Sequence, residues 1–153
     1  MGEITLPSII PSYVYTLFAS LIVGTILICA CGVSAANLKQ EADKQQLLNI
    51  SEYIATKSLE LILHATNYNV TSNLQLNIPT LAGTQRYWIQ LANDSTRAWV
   101  ETGFGTTLNP NTYRIYIPAE VTAEGTYLSD FGVAALECHT VDGTIYLKLS
   151  GGS

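Results

Sequence analysis

Charge is scarce in this sequence, and basic residues are the scarcest of all. Charged residues make up 12% of the 153 residues, about half the share of an ordinary soluble domain. The 7 lysines and arginines stand singly along the chain, and the net charge is -5. Because no basic stripe is present to neutralise phosphates, we expect no nucleic-acid partner. Hydroxyl and amide side chains supply the polarity instead, which suits close subunit packing or glycan cover, or is simply a neutral surface bias.

Catalytic and metal-binding patterns are also missing. The two histidines are His64 and His139, and His139 follows Cys138 directly. Neighbouring side chains of a strand point to opposite faces, so this pair could not form a nucleophile and its base. No metal-binding helix motif, phosphate loop, dinucleotide fingerprint or serine elbow occurs. The sequence therefore predicts no catalytic residue, no cofactor-binding residue and no metal ligand, and we expect no enzyme.

A long uncharged stretch stands near the N-terminus. No charged residue occurs from Ile4 to Leu38. Within that stretch, residues 13–33 read YVYTLFASLIVGTILICACGV, and 21 residues of helix span about 31 Å, the thickness of a bilayer's hydrocarbon core. Pro7 and Pro11 precede it. We expect a transmembrane or filament-core segment here, behind a short flank of residues 1–11.

Two processing signals compete with a retained anchor. Val33-Ser34-Ala35 resembles a signal-peptide cleavage site, and Ile28-Cys29-Ala30-Cys31 resembles a lipoprotein box. Both lack the basic residues that should precede the apolar core. A retained anchor is therefore the expectation. The charges on either side of the segment are too few to predict its membrane orientation.

The helical pattern continues past the apolar stretch. Residues 36–66 contain neither glycine nor proline. From Leu47 onward their apolar positions share about half of the helix circumference, with Leu63 and Tyr53 as exceptions. Those positions are Leu47, Leu48, Ile50, Ile54, Ala55, Leu59, Leu61, Ile62 and Ala65. The sequence predicts one helix over residues 12–66, apolar first and amphipathic later. Two helices broken near Gly32-Val33-Ser34 are the alternative.

After residue 66 the hydrophobic period changes to two. Alternating runs centred near residues 76, 89, 99, 115, 136 and 147 are separated by turn sequences, including Asp142-Gly143. Six or seven short strands in residues 67–153 predict a β-rich extracellular domain that takes the apolar face of the helix. The fold class is thus α+β, with a long N-terminal helix packed on an antiparallel β-sandwich-like domain.

Three kinds of surface site are predicted in these elements. Sequons make Asn49, Asn69 and Asn93 candidate glycosylation sites. Trp88 and Trp99 fall between the inward positions of their strands, so they are candidate interface aromatics, although burial within the domain would explain them equally well. Small residues of the apolar helix would permit close helix packing: Ala19, Ser20, Gly24, Ala30, Gly32, Ser34 and Ala35.

This plan resembles the archaeal branch of the type IV filament superfamily, which includes pilins, archaellins and archaellum stator-like proteins. The resemblance covers the architecture of the whole chain. At residue level it rests on PSYVYTLFASLIVGTILI, EADKQQLLNISEYIATKSLELI, YWIQLANDSTRAWVETGFG and YRIYIPAEV, none of which is a diagnostic motif. The family's basic leader is not matched, since Met1–Pro11 has no lysine or arginine. A mature form or an uncleaved member would account for that difference.

The resemblance implies a structural subunit of a pilus-like filament at the cell surface. Its partners would be copies of itself in a helical assembly, and the cytoplasmic membrane before assembly. The alternative is a membrane-anchored envelope or stator-like protein whose β domain binds the surface layer or another partner. A third possibility is a ligand-binding module on a membrane stalk, for which a concave pocket lined by Trp88, Trp99 and tyrosines would be needed.

Overall fold

A computed structural model describes residues 9–68, 70–108 and 113–151, with side chains from residue 13 onward. Helix α1 runs over Ile9–Tyr68, whereas the sequence predicted residues 12–66. Eight strands follow it. They are β1 (Ser72–Leu76), β2 (Tyr87–Asn93), β3 (Ala98–Phe104), β4 (Tyr113–Ile117), β5 (Thr122–Glu124), β6 (Thr126–Leu128), β7 (Ala134–Val141) and β8 (Thr144–Gly151).

The predicted fold class is confirmed. One long helix precedes two four-stranded sheets, with the strand orders β1-β7-β8-β5 and β4-β3-β2-β6. All pairs are antiparallel except β5 with β8, which run parallel over three residue pairs. The chain divides into two compact units, Met1–Glu41 and Ala42–Ser153. The second half of α1 therefore belongs to the same unit as the sheets.

Helix α1 is not interrupted at Gly32-Val33-Ser34, where a break was the alternative. In the second unit its apolar face forms part of a core shared with both sheets. Leu47, Ile54 and Ala65 are fully buried there, while Leu63 is 55% exposed on the opposite face. The buried positions repeat every three to four residues, so the amphipathic period seen in the sequence does place one face of the helix against the sheets.

Two polar contacts fix the register of α1 on the sheets. The hydroxyls of Ser51 and Thr102 lie 2.8 Å apart, and both side chains are completely buried. At the start of the unit, the Gly83 N–H donates to Gln46 Oε1 over 2.7 Å. Gly83 has a φ of +63°, and a Cβ there would stand 1.8 Å from the Asp43 carboxylate. The β1–β2 loop therefore requires glycine at this position.

The shortest of the connections between the two sheets is a kinked segment that contains β5 and β6. Strand β5 pairs with β8 in one sheet, and β6 pairs with β2 in the other. Gly125 lies between them with a φ of +117°, and a Cβ on it would stand 2.0 Å from the Leu149 carbonyl oxygen. Its own carbonyl accepts a hydrogen bond from the Leu91 N–H. The chain can thus change sheets here only because residue 125 has no side chain.

The opposite side of the sandwich is covered by α1. Strands β1 and β4 are the outer strands there. The Lys44 ammonium lies 5.7 Å from the ring centre of Tyr113 on β4. Further along the helix, Leu61 and His64 line a crevice with Ser72–Leu74 of β1. Covering an exposed sheet edge with a helix prevents edge-to-edge association.

Candidate functional site

The candidate site is the surface of residues 13–38 of α1, which we call the apolar segment. All of these residues are exposed except Gly24, which is half-buried. Large side chains are among them, with Phe18 58%, Ile22 59% and Ile28 75% exposed. Exposed apolar patches of this extent are uncommon on monomers and mark surfaces that contact another protein or a membrane.

Three aliphatic hydroxyl groups of the apolar segment form hydrogen bonds within the helix. Ser20 donates to the Thr16 carbonyl over 2.8 Å, Thr25 to Leu21 over 2.8 Å, and Ser34 to Ala30 over 2.9 Å. Each bond reaches four residues back along the helix. These side chains therefore need no water, which a lipid phase or a dry helix bundle could not provide.

Contacts within the described part of the chain do not explain the two glycines of the apolar segment. A Cβ at Gly24 or at Gly32 would meet nothing within 4 Å. Glycine in a helix interior costs about 1 kcal/mol relative to alanine. The space at these positions is consequently available to something outside the described chain.

The small residues of the apolar segment are clustered on one side of the helix, among larger side chains. At 3.6 residues per turn, six of the seven predicted packing residues fall within an arc of about 160°. They are Ala19, Ser20, Gly24, Ala30, Ser34 and Ala35. Gly32 lies outside that arc. Tyr15, Phe18, Ile22 and Ile26 also lie outside it. Val23, Leu27 and Leu38 lie within it, so small and large side chains share this side of the helix.

The predicted glycosylation sites have different surroundings. Asn49 is exposed on α1 and accepts a bond from Gln45, but the hydroxyl of its sequon serine, Ser51, is buried against Thr102. Asn93 is exposed at the end of β2, and its Oδ1 accepts the Ala123 N–H over 3.1 Å. Asn69 lies outside the described residues.

The Asn93 sequon also forms the β2–β3 turn. Asp94 Oδ1 accepts the backbone N–H groups of Thr96 and Arg97, each over 2.7 Å. These two bonds hold the pKa of the Asp94 carboxyl below its usual value. A structural role alone would explain why Asn and Asp stand here.

The two tryptophans lie on the side of the β4-β3-β2-β6 sheet that faces away from the main core, as their spacing predicted. Trp88 is nevertheless only 1% exposed, and its indole lies against Gly103, where a Cβ would meet it at 2.7 Å. Trp99 is half-buried and donates to Glu101 over 3.3 Å. The Arg114 guanidinium lies 5.2 Å from its ring centre. Of the two, only Trp99 has appreciable surface left for a partner.

The residues considered for chemistry are dispersed. The Cys138 side chain is completely buried, and burial raises the pKa of its thiol, whereas His139 stacks on Tyr146 at 5.4 Å between ring centres. His64 contacts Tyr68 on α1. Among the residues that the structure describes, no three His, Cys, Asp or Glu side chains cluster as a metal site would require.

The apolar segment fits a membrane by length and composition. Within the described part of the chain, one helix passes that criterion: Tyr13–Tyr68, with a best-window mean hydropathy of 2.3 and none of that window buried. Comparison with family models, with curated proteins and with solved structures finds no match to this chain. The assignment of a function therefore depends on the chain's own chemistry.

Proposed function

We propose that this chain is a structural subunit of an extracellular filament of the archaeal type IV pilus-like kind. The observation that carries the proposal is the exposed, uncharged segment 13–38, in which Ser20, Thr25 and Ser34 bond to their own backbone. In such a fibre the apolar segments of many copies form a dry core, and the β domains form the outer wall. Before assembly the same segment lies in the cytoplasmic membrane, with the β domain at the cell surface.

Burial of the apolar segment by other copies supplies the driving force for assembly. Fully burying one large apolar side chain is worth about 1.5–3 kcal/mol, and the segment exposes more than ten such side chains of types Phe, Leu, Ile, Val and Tyr. No charged group has to be desolvated in the process. Helices sheathed on all sides need no polar face.

The glycines favour a helix bundle over lipid contact alone. Lipid chains adapt to any helix surface, whereas a neighbouring helix approaches closely only over small residues. Gly24 lies on the same side of the helix as Ser20 and Ala35. Its lack of a side chain, unexplained by contacts within the described chain, is accounted for by such an approach.

The second candidate is a membrane-anchored envelope or stator-like protein whose β domain binds the surface layer or another partner. It is favoured by the match between residues 13–33 and the thickness of a bilayer. In this case lipid, not other copies, surrounds the apolar segment.

Shearing intact cells separates these functions. Negative-stain microscopy of the released material, with peptide mass spectrometry, should find thin fibres that contain this chain. The mass of the N-terminal peptide would show whether a leader is removed. A protein that stays with the membrane and leaves only with detergent would instead establish the anchored form.

A pair of neighbouring variants tests close packing at Gly24. Gly24→Leu places a large side chain at that position, and Thr25→Leu places the same side chain about 100° around the helix. Both variants remain apolar enough for insertion into a membrane. We expect Gly24→Leu to abolish fibres and Thr25→Leu to retain them. Equal fibre yields from both would contradict close packing at Gly24.

A further inference from the structure

The turn between β2 and β3 borders a polar crevice of the β domain. The crevice encloses about 430 Å³, within the range of roughly 300–1,000 Å³ that ligand sites occupy. Its lining comes from residues 93–97, 120–122 and 143–145. Val121 alone among them is buried, and Asn93, the first residue of a glycosylation sequon, is one of the walls.

Several polar side chains of the crevice have no hydrogen-bond partner within the described chain. The Arg97 guanidinium forms no ion pair there and lies only against the Tyr116 ring, 5.8 Å from its centre. The side chains of Glu120, Thr122 and Thr144 likewise form no hydrogen bond with a described residue. Polar groups that are free in this way can orient a polar ligand. A sugar, which offers hydroxyl groups around its whole ring, matches such a lining.

The amide of Asn93 is held at the wall of the crevice. Its Oδ1 accepts the Ala123 N–H over 3.1 Å, and its Nδ2 donates to the Asp94 carbonyl over 3.2 Å. An asparagine that carries an N-linked sugar keeps its carbonyl oxygen and one N–H. Both bonds are therefore compatible with a sugar on Nδ2 of this exposed residue.

The geometry of the turn does not explain Ser95. The Asp94 carboxylate accepts two backbone N–H groups and the Thr96 hydroxyl, whereas the exposed Ser95 side chain forms no hydrogen bond with a described residue. A sequon needs a hydroxyl two residues after its asparagine. In the sequon of Asn49 that hydroxyl belongs to Ser51, which is completely buried and bonded.

We propose that Asn93 carries an N-linked saccharide whose first sugars lie in this crevice. In the transfer, Asn93 Nδ2 attacks the anomeric carbon of a glycosyl phosphate donor and loses one proton to a base of the transferase. The new C–N bond replaces the C–O bond to the phosphate, which leaves with the electron pair. The tether identifies the occupant, since the asparagine that would bear the sugar is itself a wall of the crevice. The inference rests on the proposed location of the β domain at the cell surface, which both candidate functions share.

Peptide mass spectrometry of the full-length chain from its native cells tests the modification. Cleavage after lysine and arginine places the three sequons on separate peptides, residues 45–57, 58–86 and 87–97. We expect peptide 87–97 to carry the mass of a saccharide and peptide 45–57 to be unmodified. Ser95→Ala should abolish the modification, whereas Thr96→Ala, which removes the neighbouring hydroxyl, should retain it.

Three results would overturn the modification at Asn93 as argued: an unmodified peptide 87–97, a modified peptide 45–57, or a modification that survives Ser95→Ala. An unmodified peptide 87–97 from chains recovered in sheared fibres would leave the filament function intact. The failure of the two proposals can thus be told apart.

A thiol probe tests whether the sugar lies in the crevice. Thr144→Cys places a thiol on the crevice wall, and Ser150→Cys places one about 20 Å away along β8; both positions are exposed. Labelling with a maleimide, located by peptide mass spectrometry, should be lost at Thr144→Cys and kept at Ser150→Cys. Adding Ser95→Ala should restore the labelling of Thr144→Cys. Equal labelling of Thr144→Cys with and without the sugar would overturn the crevice as its seat.

Discussion

The buried contact between Ser51 and Thr102 permits a sharp test of how α1 is held on the sheets. Ser51 Oγ also donates to the Leu47 carbonyl over 2.9 Å. A hydroxyl has one hydrogen, so the short contact with Thr102 is formed by the Thr102 hydroxyl donating to Ser51 Oγ. The two residues consequently depend on the contact to different degrees.

The two single substitutions should lower the free energy of unfolding by different amounts. Ser51→Ala leaves the Thr102 hydroxyl buried without its acceptor, which costs about 1–3 kcal/mol. Thr102→Val removes that donor, while Ser51 keeps its bond to Leu47, so we expect a loss of under about 1 kcal/mol. The double variant removes both groups and should be more stable than Ser51→Ala alone, because no orphaned hydroxyl remains.

A serine two turns further along α1 is the internal control. Ser58 is as buried as Ser51, but its hydroxyl has no hydrogen-bond partner among the described residues. Ser58→Ala should therefore leave the free energy of unfolding unchanged or raise it. Urea unfolding of the full-length chain in one fixed detergent, followed by tryptophan emission, gives all four differences. If Ser51→Ala is no more destabilising than Ser58→Ala, the assigned bond does not stabilise the fold.

Three other predictions follow from the β domain. Gly125→Ala should lower the thermal midpoint strongly, because its Cβ would stand 2.0 Å from a backbone oxygen that cannot turn away; a retained midpoint in thermal melts would contradict the sheet-switch geometry. The Cβ of Gly83→Ala would clash with the Asp43 side chain, which can move, and not with backbone. We therefore expect a smaller decrease of the thermal midpoint than for Gly125→Ala in the same melts, and an equal decrease would contradict this reasoning. Since burial raises the pKa of the Cys138 thiol above 9.0, its contribution to stability is complete below pH 9 and falls at higher pH. Cys138→Ala should remove that part of the alkaline loss, measured by urea unfolding between pH 8 and 11, and an unchanged profile would refute it.

The helix and its buried face could be predicted from the sequence because they depend on local period. Leu47, Ile54 and Ala65 repeat at helical spacing, and each is fully buried. The hairpin at Asp142-Gly143 was predictable for the same reason. Both residues adopt positive φ, 49° and 81°, as the turn between two right-twisted strands requires.

The sheet switch could not be predicted, because no local pattern specifies it. The segment 122–128 has only three residues on each side of Gly125, too few for a period of two to be recognised. Its pairing with β8 and β2 is fixed by partners that are distant in sequence. The burial of Trp88 was left as one of two equal alternatives for a similar reason, since alternation shows which side a residue faces but not what covers that side.

The position of the candidate site could be predicted from the sequence, but the hydrogen bonds of its side chains could be described only from the structure. Composition alone indicates that residues 13–38 avoid water, and it does not distinguish a lipid-facing helix from a bundled one. The serines of α1 show a different distinction, between the exposed first half of the helix and the second half that packs on the sheets. Ser20 and Ser34 bond only backward along the helix, whereas Ser51 does so and also accepts a bond from the sheet.

The same serine chemistry explains how one helix can serve two surroundings. A hydroxyl that is bonded to its own backbone can enter a dry phase without losing a partner. Ser20, Thr25 and Ser34 would therefore carry no desolvation cost in the proposed move from lipid into a bundle. In the second unit the additional bond to Thr102 ties the helix to the β domain. A subunit built in this way can leave the membrane while its β domain stays folded on the helix. The fibre test with Gly24→Leu and Thr25→Leu therefore changes packing alone, since Thr25 also bonds backward, to Leu21, and its replacement leaves no unsatisfied donor.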